Sequence, residues 1–186
     1  MDFINEINSY VPKNDQEFQD KKVVQDCIRI FPHNILLRDN EIAHITSSGF
    51  ILNKDHTKTL LIHHNIRNTW AWTGGHADGD GDLLSIAVRE AIEETGVAVT
   101  PISNKIASLD VLTVKKHYKN NKYVNSHLHL SVAYLFVADE WASRIVKPDE
   151  NSGVEWFPVE NIIEGVFNSW DVYLYSKLVQ QAKAWR

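Results

Sequence analysis

The chain comprises 186 residues, 44% hydrophobic, 23% charged and 10% aromatic, with 19 Lys and Arg against 24 Asp and Glu for a formal net charge of −5. These proportions describe a globular chain long enough to bury a substantial core, and they exclude disordered, collagen-like and low-complexity classes. The mild acidity argues against duplex nucleic acid as a partner, because a duplex rewards dense positive charge.

Residues Met1–Glu6 lack the basic start and apolar run of a secretory signal. No apolar run approaches the ~20 residues that span a bilayer. The single cysteine, Cys27, excludes an intrachain disulfide and fits a reducing compartment. The expectation is a soluble cytoplasmic protein with no membrane partner.

Residues 1–40 read as an N-terminal helical extension and 41–186 as the main domain. Asn14-Asp15-Gln16-Glu17 has the form of a capping box, in which Asn14 accepts from the Glu17 N–H and Glu17 reaches back. Phe18, Val23, Val24, Cys27, Ile28 and Phe31 then recur at helical spacing until Pro32. Three roles are open to this extension: capping a substrate cleft, mediating a homodimer, or completing the core.

From Glu41 the texture changes. Phe50-Ile51-Leu52 and Thr59–Ile62 flank Asn53-Lys54-Asp55 and predict a hairpin. Trp70 and Trp72, two apart, share one face of an extended chain. A Gly/Asp-rich loop, 74–82, leads into a helix expected over Leu83–Thr95 and stopped by Gly96. Val97–Val99 restarts extended chain. Val111–Tyr118 and Val124–Ala138 predict two longer strands joined by the turn Lys119-Asn120-Asn121, and Val154–Phe157 a shorter one. A closing helix over Ser169–Trp185 is expected to present Val172, Tyr173, Leu178 and Val179 near one face. The irregular alternation predicts an α/β fold with a mixed β-sheet covered by helices.

The chemistry concentrates on the helix 83–95. On a wheel with Leu84 at zero, Leu84, Ala87, Val88, Ala91, Ile92 and Thr95 span about 140° and are expected to face the sheet. Glu90, Glu93 and Glu94 fall at about 240°, 180° and 280° on the same wheel. Three like charges within one turn repel, and partial burial raises the penalty. A solvated acidic face is the plain alternative. A hard divalent cation such as Mg²⁺ removes the conflict while keeping waters for substrate phosphates. The glycine loop before the helix can approach closely and lend backbone groups.

The residues Gly75, then Arg89-Glu90-Ala91-Ile92-Glu93-Glu94-Thr95-Gly96-Val97 fourteen positions on, resemble the signature box of the Nudix hydrolases. The likeness has departures. Gly81 stands where the box carries its first Glu, with Asp80 and Asp82 on either side. Ala91 fills an aliphatic position, and Thr73 stands where a Pro often precedes the glycines. The resemblance implies a Nudix-type α/β/α sandwich and cleavage of a small-molecule nucleoside diphosphate derivative. It implies Mg²⁺ or Mn²⁺ held by Glu90, Glu93, Glu94 and the Gly75 carbonyl, with Arg89 orienting the carboxylates. A further carboxylate often comes from a later loop; Glu150 is the candidate, ahead of Asp149 and Glu155. Glu93 or Glu150 would serve as base.

Trp70, His76 and His129 are the candidate substrate contacts, against a reading of Trp70 and Trp72 as packing residues. His127 and His129 alternate on one strand face, and a zinc site is not expected, because no third and fourth ligand shows the spacing of a tetrahedral site. Asp78–Asp82 imitates a calcium loop but puts Leu83 and Arg89 where Gly and Glu are required. The dinucleotide fingerprint lacks its third glycine, and no Gly-Lys-Ser/Thr phosphate loop occurs. Two rivals remain open. An isoprenoid diphosphate isomerase would want a cysteine near the glycine loop, whereas the only one is Cys27. A nucleotide- or metabolite-sensing module without turnover would keep the fold alone.

Overall fold

The N-terminal residues form two helices, α1 (Phe3–Ser9) and α2 (Asp15–Ile30), in a computed structural model that describes residues 3–119, 121–162, 167 and 169–185. Asn14 caps α2, its side chain accepting from the Glu17 N–H at 2.8 Å. The reciprocal half of the box differs from expectation. Glu17 accepts from the Lys13 N–H at 2.9 Å and the Tyr10 hydroxyl at 2.6 Å, because its fully buried carboxylate is drawn to Lys177 at 3.0 Å. Ile7, Tyr10 and Val24 belong to the same apolar cluster as Ile45, Leu130 and Tyr134, so these helices complete the main core.

Strand β1 (Ala43–Asn53) is buried at every position and organises the sheet. The expected hairpin joins it to β2 (Lys58–His64), with Ile51 opposite Leu60. The short strands β3 (Thr69–Ala71) and β4 (Thr73–His76) follow, and β4 shares that edge of β1, with Thr46 opposite His76 and Gly49 opposite Thr73. Helix α3 spans Leu83–Thr95, and Gly96 ends it in the left-handed conformation with φ 72°. Then come β5 (Val99–Pro101), β6 (Ser108–Val114), β7 (His117–Lys119), β8 (Lys122–Val124), β9 (His127–Ala138) and β10 (Asn151–Pro158). A 3-10 turn (Val159–Ile162) and helix α4 (Ser169–Ala184) close the chain. The sheet order is β10-β2-β1-β9-β5, with β6 also on β9; β1 and β9 run parallel, from Ala43 opposite Leu128 to Asn53 opposite Ala138.

Alternation along the strands builds two cores. Ile45, Ile51, Ile62, Leu130 and Val132 face α1, α2 and α3; Phe50, Leu52, Leu61, Ala133 and Leu135 face α4. This is the expected three-layer α/β/α sandwich around a mixed sheet.

Three further expectations are corrected. The two longer strands break at 115–116 and 125–126, and His117–Lys119 and Lys122–Val124 pair as a separate β7–β8 ribbon. Side chains take the backbone groups there: the Lys116 N–H donates to Ser126 Oγ at 3.1 Å, and His127 Nδ1 donates to the Asn125 carbonyl at 2.8 Å. Asn120, in the expected turn, lies outside the described residues.

The buried side of α3 is turned by about 80° from the wheel prediction. Leu83, Ile86, Ala87, Ala91, Glu94 and Thr95 are buried, whereas Ile92 is 42% exposed. Leu83 and Ile86 are buried on the side that faces the sheet, and Gly75 leaves room for the Glu90 side chain of α3. On α4, Tyr173 is exposed and Leu174 and Tyr175 are buried, because the Tyr175 hydroxyl accepts from the Trp72 N–H at 3.1 Å. No described helix is long and apolar enough to cross a membrane.

Candidate active site

The rotation of α3 decides the site. It lays Glu90 and Glu94 against β4 and leaves Glu93 at the solvent edge. Glu94 is 4% exposed and accepts from the Gly74 N–H at 2.9 Å. Burial pushes its pKa up to about 8 against the pull of that N–H, with Glu150 and Glu90 adding to the rise. Glu90 lies so close to Gly75 that a Cβ there would run into its carboxylate, so glycine is needed for the approach. Its carboxyl is also raised, first by burial and then by Glu93. Glu93, one wheel step outward, is 48% exposed in its side chain. Arg89 spans the pair, 3.5 Å from Glu90 and 3.9 Å from Glu93.

A second element reaches this cluster. The segment 145–151 docks on the end of α3: the Ile145 N–H donates to the Thr95 carbonyl at 2.8 Å, and the buried Asn151 amide to the Glu94 carbonyl at 2.9 Å. The Asn65 N–H also holds the Glu150 carbonyl at 3.0 Å. Lys147 then bridges the elements, its ammonium 3.1 Å from Glu150 and 3.5 Å from Glu93. A cation at that point indicates a field set by several carboxylates. All the donors are hard oxygens, the set that suits Mg²⁺ or Mn²⁺.

A family model, the NUDIX domain, matches residues 43–178. The chain belongs to the Nudix hydrolase family. Solved structures share its fold. A Nudix-family hydrolase from Clostridium perfringens is 19% identical, with TM-score 0.53 over 75% of this chain and 97% of that one. A MutT protein from Methanosarcina mazei Go1 is 21% identical, with TM-score 0.54 over 77% and 98%. A mutator MutT protein from Bacillus halodurans is 19% identical, with TM-score 0.50 over 73% and 81%.

The Nudix loop of this chain is rebuilt around Gly81. Asp82 caps α3, accepting from the Ser85 N–H at 3.1 Å, and Asp80 accepts from the Asp82 N–H at 2.9 Å. Both flanking aspartates therefore hold the turn. Phe3 of α1 lies over Gly81, 3.5 Å from where a Cβ would stand.

Sequence reasoning missed Lys147 and Asn151. Lys147 carries a faint signal in its spacing of three from Glu150; Asn151 carries none. Trp70 packs edge-on against Phe157 at 4.8 Å and His63 at 5.3 Å. Trp72 is buried against Tyr175. His76 and His129 come together, ring centroids 5.0 Å apart. Burial and the neighbouring histidines pull the His129 pKa down to about 2, which keeps the ring neutral.

Proposed function

We propose that this Nudix protein is a divalent-metal-dependent pyrophosphohydrolase acting on a nucleoside diphosphate linked to another group. The observation that carries the reading is the convergence of Glu90, Glu93 and Glu94 with the Glu150 loop beside the glycines of β4. Gly75 and the stand-in ammonium of Lys147 support a cation there. Glu90, Glu93, Glu94 and the Gly75 carbonyl would hold it. When bound, such an ion supplies positive charge to phosphate oxygens as negative charge develops on them.

The protein's own groups account for the rest. Glu150, reaching the cluster from a separate loop, takes a proton from the attacking water; Glu93 is the alternative base. The water oxygen bonds to phosphorus, the bridging P–O bond breaks, and the second phosphate departs. Arg89 holds Glu90 and Glu93 in place. Trp70 and His76 are proposed contacts for the remainder of the substrate, whereas His129, packed among the rings of His44, His76 and His127, is left out of that set. Trp70 has one edge already committed to Phe157.

The test is incubation with nucleoside diphosphate sugars, dinucleoside polyphosphates and nucleoside triphosphates, with Mg²⁺ and then with EDTA. Cleavage of at least one at a pyrophosphate bond, abolished by EDTA, is expected. Nucleotide binding without any turnover would favour the sensing reading, to which the missing carboxylate at Gly81 lends its one observation.

A further inference from the structure

On the sheet face opposite α3, histidines from separate strands meet. The parallel register sets His44 of β1 directly opposite His129 of β9, and His127, two residues earlier, shares that face. Ring centroids are 4.9 Å apart for His44–His127, 5.0 Å for His44–His129 and 5.1 Å for His127–His129. One ring nitrogen from each of the three lies within 4.8 Å of the other two. The Nε2 atoms of His127 and His129 are 3.3 Å apart. Two nitrogens bound tetrahedrally to one zinc ion at ~2.0–2.1 Å stand about 3.4 Å apart, so this pair already has the required separation.

The hydrogen bonds fix which atoms are available. His44 Nδ1 lies 3.0 Å from the Asn40 carbonyl, and His127 Nδ1 lies 2.8 Å from the Asn125 carbonyl. A carbonyl only accepts, so each Nδ1 carries the hydrogen and each Nε2 of the neutral ring offers a lone pair. His44 is 4% exposed, and its Nε2 has no hydrogen-bond partner among the described residues. A buried polar atom left unpaired costs stability unless something else satisfies it. An Nδ1–H anchored on a carbonyl behind an available Nε2 is how proteins orient metal-binding histidines.

We propose that His44, His127 and His129 form a binding site for a zinc-class divalent ion, distinct from the carboxylate site and with one coordination position left for solvent. Ligand chemistry keeps the two sites apart: three imidazoles select zinc and its transition-metal neighbours, and the carboxylates on the other face select Mg²⁺ or Mn²⁺. The ion would tie the beginning of β1 to the beginning of β9. Ligand spacing along the chain conceals the site, because His44 and the His127/His129 pair belong to strands joined only by the register.

The experiment is calorimetric titration of the EDTA-stripped, dialysed full-length protein with ZnCl₂ in excess Mg²⁺, which fills the carboxylate site. One zinc per chain is expected. His127→Ala and His44→Gln should each weaken binding about tenfold or more. Glu90→Gln/Glu93→Gln should bind zinc as wild type does. Co²⁺ in place of zinc should give the visible bands of a four-coordinate ion in wild type and not in His127→Ala. Absence of zinc uptake by wild type, undiminished uptake by both histidine variants, or a loss confined to the Glu variant would overturn the proposal. If His44→Gln fails to fold, the half-buried His127 carries the test alone.

Discussion

The Lys147 ammonium stands 3.1 Å from the Glu150 carboxylate and reaches across to Glu93 on α3 at 3.5 Å. A monovalent cation thus neutralises the carboxylates that the proposed mechanism assigns to metal binding and proton transfer. A divalent ion entering the cluster competes with it. Lys147→Gln should therefore lower the Mg²⁺ concentration giving half-maximal activity. The pairs are partly exposed, a class that contributes about 0.2–1 kcal/mol, so the change should be up to about fivefold. Activity against Mg²⁺ concentration reads it; an unchanged or raised midpoint argues against competition.

Glu93 and Glu150 separate fold from chemistry. The Glu93 side chain is 48% exposed and its ion pairs lie at the surface, so Glu93→Gln should melt close to wild type. Its kcat should fall about a hundredfold or more if, as the proposed mechanism has it, the carboxylate acts where charge develops. Glu150→Gln should also lower kcat, by about 10²-fold or more if it is the base. Unaltered kinetics for Glu150→Gln would return the role of base to Glu93.

Two loop glycines should respond oppositely to one methyl group. Neither Gly75 nor Gly81 has a positive φ, so alanine is compatible with both backbones. At Gly75 the Cβ meets the Glu90 carboxylate; at Gly81 it meets Phe3 at an ordinary 3.5 Å. Gly75→Ala should displace the Glu90 carboxylate at little cost in stability, with loss of the Mg²⁺-dependent rise in melting temperature. Gly81→Ala should be close to neutral in both. Equal behaviour of the two variants would show that Glu90 does not depend on the gap at Gly75.

Glu94 makes the metal-free protein sensitive to pH. Burial pushes its pKa up to about 8 from the usual 4.5. Between those values the folded chain keeps a proton that the unfolded chain has released. The contribution is fully present below about pH 4.5 and is lost as pH rises towards 8. In EDTA, the difference in stability between wild type and Glu94→Gln should narrow as pH falls over this range. Urea unfolding at a series of pH values measures it. A constant difference would mean that Glu94 is already ionised in the fold.

The helix α3 and its stop were legible because the apolar period and Gly96 act locally along the chain. Its orientation was not, because Leu83, Ile86 and the gap at Gly75 set it jointly through contacts between elements. Glu150 was reachable from the family pattern. Lys147 and Asn151 depend on how one loop docks, and His44 meets His129 only through the β1–β9 register. Glu17 looked like half of a capping box because local spacing allowed it; the buried Lys177, 160 positions away, takes it instead.

That long-range contact supports a strong stability prediction. Lys177 is 9% exposed in its side chain, lies 3.0 Å from Glu17, and also pairs with Asp110; both carboxylates are 0% exposed. Burial raises the Asp110 pKa, and the Lys177 ammonium offsets part of that rise. Lys177→Met leaves two carboxylates without their cation beneath α2, β6 and α4. Removing one member of a buried ionic group costs about 3–5 kcal/mol, and a chain of this length should lose roughly 6–20 °C in melting temperature. The exposed Arg29–Asp26 pair, at 2.6 Å with side chains 76% and 59% exposed, is the control. Arg29→Ala should leave the melting temperature essentially unchanged, because water screens that pair despite its shorter distance. If Lys177→Met and Arg29→Ala melt alike, the buried group is not what joins the N-terminal helices to the sheet and α4.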